Sequence, residues 1–156
     1  MWPSITSGAQ TPTQTEAATN KVNYITIDFD PTNQEFAEFE YAMPADWNAG
    51  TITAQFYWTK TGVSTNGIVW ALEGRAYGDQ ATIDQAFGTA QQVADTGTAT
   101  ASQVKISSAT PAITLAGSPA AGQLAHYRVK RVPADASDTL AVDGQLLGVL
   151  INYTRV

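Results

Sequence analysis

The chain has 156 residues, enough for one domain that buries about two-thirds of its unfolded surface. Only 14% of them are charged and the net charge is −6, which excludes the basic footprint of a nucleic-acid binder. No apolar run approaches the length of about 18 residues that spans a membrane, and with no cysteine neither disulfides nor thiolate metal sites can form.

Residues 1–20, MWPSITSGAQTPTQTEAATN, are rich in Thr and have neither helical nor strand periodicity, so they read as an extended or flexible N-terminal arm. Trp2 and Ile5 form a small apolar hook at its far end. The opening MWPSITSG lacks the basic and apolar regions of a secretory signal, and none is expected. Ordering such an arm costs about 1–2 kcal/mol per residue, so some surface must receive it.

Residues 21–156 read as a single β domain. Asn23–Phe29 alternates, with Ile25, Ile27 and Phe29 on one face. Phe36–Ala42 sets Glu38 and Glu40 opposite Phe39 and Tyr41. Thr51–Thr59 and Ile68–Tyr77 are rich in β-branched and aromatic residues. Asn48-Ala49-Gly50 and Asn66-Gly67 precede them as turn signals.

Gly78–Val93 (GDQATIDQAFGTAQQV) has helical spacing instead. Asp79 can cap a helix over 79–87, Ile83 and Phe87 share a face, and Gly88 can end it. So short a helix would have to lie on the sandwich, with Ile83 and Phe87 inward and Asp84 outward. Strands follow at Gln103–Ser107, Ala112–Ala116, Gln123–Arg131 and Gln145–Thr154. The sum is an all-β, jelly-roll-like β-sandwich of about eight strands, one short helix and an N-terminal arm.

Chemical motifs are sparse. Glu38 and Glu40 share a strand face, as paired glycosidase carboxylates do, but a solvated alternating strand gives the same spacing. His126 is the single histidine. It begins an outward stripe with Arg128 and Lys130, and no G-x-S-x-G elbow accompanies it. Asp28, Asp30, Asp135, Asp138 and Asp143 fall at strand ends and turns, where oxygen ligands for calcium gather, but without a D-x-[DN]-x-[DN]-G loop. No catalytic residue, no metal ligand and no cofactor is expected. Trp58 and Trp70 belong to strand interiors, whereas Trp47 at a loop edge and Asn66 in a turn are the candidates for contact with a glycan.

AMPADWNAGTITAQFYWT, IVWALEGRAYGDQATIDQAFGTAQQVADT and SSATPAITLAGSPAAGQLAHYRVKRVPADASDTLAVDGQLLGVLINYT together resemble a family of tailed-bacteriophage virion structural proteins. The resemblance rests on the strand Trp47–Phe56, on Ala81 and Ile83–Gln91, and on Arg128–Leu140. It covers nearly three-quarters of the chain, from Ala42 to Thr154, and leaves residues 1–20 outside. It implies a non-enzymatic homotrimer on the capsid or fibre surface of a virion, made in the bacterial host cytoplasm.

Two roles compete. A capsid decoration (cement) protein would bind the phage major capsid protein through the arm, with Trp2 and Ile5 as the capsid-binding residues. A tail-fibre tip would present its loops to a host surface glycan. The short irregular arm, unlike a fibre shaft, favours decoration.

Overall fold

A computed structural model describes residues 1–156. It is an all-β sandwich of two five-stranded antiparallel sheets, and it contains no helix. The strands are β1 (Trp2–Pro3), β2 (Thr13–Glu16), β3 (Asn23–Phe29), β4 (Phe36–Ala42), β5 (Trp47–Thr59), β6 (Gly67–Tyr77), β7 (Gln91–Thr96), β8 (Lys105–Ile106), β9 (Leu124–Arg131) and β10 (Gly144–Arg155). One sheet runs β1-β4-β9-β6-β7 and the other β2-β3-β10-β5-β8.

The alternation read from the sequence sets which residues face inward. Tyr127 and Val129 of β9, Trp70 and Leu72 of β6, and Ile52, Phe56 and Trp58 of β5 are fully buried between the sheets. Trp70 is the hub: Phe29 meets it edge-on at 5.2 Å, and Phe56 stacks on it at 5.8 Å. Gly144 begins β10 where a Cβ would lie 2.3 Å from Ile68 Cδ1 and 3.2 Å from Trp70, so a side chain there would force the Ile68 methyl to shift.

Arg131 also occupies an inward position, in phase with Tyr127 and Val129, and its side chain is wholly buried. Its guanidinium meets Asp138 through Nη2 at 2.7 Å and Nε at 3.0 Å. It also donates to the carbonyls of Phe29, Leu140 and Val142. Asp138 in turn accepts the Val69 amide at 3.0 Å. This clamp closes one end of the sandwich with the 132–143 loop, and it answers every donor of a charge that would otherwise be stranded.

Three expectations need correction. First, residues 79–87 are not helical. Their carbonyls are taken from outside, Ile83 by the Tyr77 hydroxyl and Ala86 by Arg75, rather than by a helical ladder. Ile83 is 78% exposed rather than inward. Nine residues lack the length to hold a helix against such competition.

Second, Ala112–Ala116 is not a strand; it makes only the isolated bridges Ile52↔Ile113 and Arg75↔Ala116. Gln103–Ser107 shrinks to β8. The unexpected strands are β1, β2 and β7, which bring the count to ten. Third, Asn48-Ala49-Gly50 is not a turn before a strand. It lies inside β5 as an irregularity, with Ala49 at φ 57° and the Gly50 amide donating to Asn48 Oδ1.

The surface that receives the arm is the sandwich itself. β1 pairs with β4 and β2 with β3, so residues 1–20 add an edge strand to each sheet. Between them the Ala9 amide donates to Phe36 O, and Ala9 enters the core. Trp2 remains 73% exposed and Ile5 fully exposed.

Candidate functional site

The outer face of the β1-β4-β9-β6-β7 sheet carries most of the ionic chemistry of the chain. Register sets Glu38, Arg128 and Glu73 in one row across β4, β9 and β6, and Glu40, His126 and Arg75 in the next. Opposite charges therefore face each other across strands, where such pairs stabilise. His126 Nε2 lies 3.0 Å from Glu38 and Nδ1 lies 3.6 Å from Glu40. Glu73 is buried and takes both Arg128 and, at 3.2 Å, Lys130. The Arg128 guanidinium is held between the Phe36 and Phe87 rings, 4.6 and 4.5 Å from their centroids.

The 78–90 segment crosses this face as a loop. Phe87 packs sideways on Arg128 and meets His126 edge-on at 5.6 Å. Arg75 holds Gln85 and Ala86, and the Gly88 amide donates to Gly74 O at 3.0 Å. A Cβ on Gly88 would stand 2.5 Å from Thr114 O, so glycine permits this close approach.

At its start the loop leaves an open cleft of about 520 Å³ against the 120–124 turn. Its apolar lining includes Leu124 and Tyr77, paired across β9 and β6, and Ile83. The polar lining comes from Glu40, Asp79, Gln123 and His126. Gln123 is preset, because its Oε1 accepts the Ala120 amide at 3.0 Å. Asp79 and Glu40 keep exposed carboxylates at the rim.

Of the residues singled out in the sequence, Glu40 and His126 line this cleft, whereas the glycan candidates Trp47 and Asn66 do not. Trp47 is 2% exposed: β5 begins at that residue, and its ring closes the core, so it offers no face to a sugar. Asn66 is exposed, but its amide donates to Thr139 O at 3.0 Å. Trp47 opens β5, whereas Asn66 lies past its other end, just before β6. Glu38 and Glu40, read as a possible catalytic pair, both flank the His126 ring.

Among the five aspartates considered for calcium, Asp138 belongs to the Arg131 clamp. Asp30 and Asp135 accept hydrogen bonds from their own turns, which hold both carboxyls below the usual range. Burial, and then the neighbouring Asp28 and Asp30, push Asp143 up. No three His, Asp or Glu side chains converge in metal-binding geometry.

No known protein family matches the chain, and no curated protein sequence does. One solved structure, described as TmCBM61 in complex with beta-1,4-galactotriose, is 15% identical with a TM-score of 0.43. It covers 92% of this chain and 82% of its own.

Proposed function

We propose that this protein is a non-enzymatic glycan-binding module on a jelly-roll sandwich. Without β1 and β2, its sheets run β3-β10-β5-β8 and β4-β9-β6-β7, the four-plus-four interleaving expected of two Greek keys. The observation that carries the reading is the cleft beside His126. A sugar ring has apolar C–H faces and a rim of hydroxyls. Leu124, Tyr77 and Ile83 match the former, while Glu40, Asp79 and Gln123 match the latter. Two rim carboxylates disfavour anionic sugars, so the ligand class is a neutral, hydroxyl-rich glycan. In a virion such a module serves as the receptor-binding tip of a fibre.

Glycan-array binding followed by calorimetry tests this. Asp79→Ala and Gln123→Ala are each expected to weaken binding by roughly tenfold, with an unchanged melting temperature. An array on which the native protein binds no neutral glycan would sink the reading.

A second reading, capsid decoration, is favoured by one observation: Trp2 and Ile5 stay exposed although the rest of the arm is tied down. A bare tryptophan on the anchored strand and a bare isoleucine just past it offer apolar surface to the coat. Trp2→Ala with Ile5→Ala is expected to reduce binding to undecorated phage heads by at least about tenfold. Undiminished binding by the double variant would remove the arm from that role.

A further inference from the structure

Strand phase marks several residues as interior that this fold leaves open. Ile25 is in phase with the buried Ile27 and Phe29, yet is 59% exposed. Tyr41 is in phase with Ala37 and Phe39, yet is 54% exposed. Both lie on the side of the sandwich where the sheets fail to close. There β3 leaves β10 beyond the Leu146↔Ile27 pair, and β10 has no partner on that edge from Leu147 onward. Facing it, β1 covers β4 only at Ala37 and Glu38. Between the two bare edges runs an apolar groove of about 240 Å³, lined by Phe39, Tyr41, Met43, Val149, Ile151 and Tyr153.

We infer that this open side, from Ile25 and Tyr41 to the free edge of β10, is an interface with further copies of the same chain. The charge pattern points to a copy rather than a foreign partner. An isologous contact brings the same patch of two copies together, so a patch of one charge sign repels itself whereas an uncharged one does not. From Gln145 to Thr154 the chain has no charged residue. Glu40, the one charge on the facing stretch of β4, turns to the outer face beside His126. The chain has a net charge of −6, so most other pairings between copies would set carboxylates together.

The backbone adds a second reason. Uncovered strand edges are usually blunted by charge, proline or bulges. β10 has register shifts only at Leu146/Gly148 and Tyr153/Arg155, leaving a regular bare run between them. Packing copies together buries Ile25 and Tyr41 and answers that edge.

Sedimentation of the full chain from about 1 to 100 µM tests this, alongside Ile25→Asp and Tyr41→Asp. Both side chains are more than half exposed, so each variant should fold, as checked by its melting temperature and far-UV circular dichroism. Neither residue touches the proposed glycan cleft, so array binding by the variants separates this inference from that reading.

The native chain is expected to sediment as a dimer or trimer of 16.6 kDa subunits. Each variant should weaken assembly by roughly 100-fold, and those amides of Gly148–Tyr153 that point away from β5 should exchange slowly only in the assembly. A native chain that stays monomeric across the range overturns the inference. So does an oligomer that both folded variants leave intact.

Discussion

Arg131→Ala is expected to lower the unfolding free energy by about 3–5 kcal/mol, the cost of stranding a buried charge. The Asp138 side chain is 1% exposed, and it would lose its only cation while still held against the Val69 amide. Against a total stability of about 5–15 kcal/mol, such a loss leaves the variant near its unfolding threshold. Arg131→Lys should recover little, because one ammonium cannot span Asp138 and the carbonyls of Phe29, Leu140 and Val142. Removing both charges in Arg131→Met with Asp138→Leu should be milder than Arg131→Ala alone, since no lone charge remains. Denaturant unfolding of the four proteins decides the order. If the double variant is the least stable, the charges matter for more than each other.

Trp70→Ala is expected to cost a similar 3–5 kcal/mol, through a cavity rather than a charge. The ring stands between Phe29 and Phe56, with Trp58 at 6.5 Å, and both sheets contribute to the cluster. Trp70→Phe should cost about half as much or less. It keeps most of the volume and discards an indole N–H that is buried without an acceptor. Near-UV circular dichroism reports the cluster, and urea midpoints report the cost. A fully destabilised Phe variant would show that the ring, not its volume, is required.

Period-two alternation made β3, β4 and β9 legible, because a half-buried strand records its faces in its residues, while β-branched and aromatic content marked β5 and the continuously buried β6. The 79–87 segment misleads for a related reason. Ile83 and Phe87 do stand one helical turn apart, but Phe87 is used sideways on Arg128, a contact that no periodicity encodes. β7 hid because QQVADT sits at a sheet edge, polar and short.

The cleft was out of reach altogether. It joins Asp79 to Gln123 across more than forty intervening residues, and only the β6–β9 register brings them together. The sole trace was the outward stripe of His126, Arg128 and Lys130, which placed the face but not the groove. Ile25 and Tyr41 make the opposite case. Alternation assigned them to the interior, yet the fold leaves both more than half exposed.

The order of strands has a consequence for how the protein is made. β9 lies between β4 and β6, and β10 lies between β3 and β5, so the middle of each sheet is the last part synthesised. Until about the last thirty residues have left the ribosome, neither half of the sandwich has its central ladder, and the early strands have nothing to close against. The growing chain must hold Phe29, Phe56, Trp58 and Trp70 in solvent throughout that wait, a window in which nascent chains are prone to clump. A chain cut short within β10 therefore loses the spine of a sheet rather than its tail.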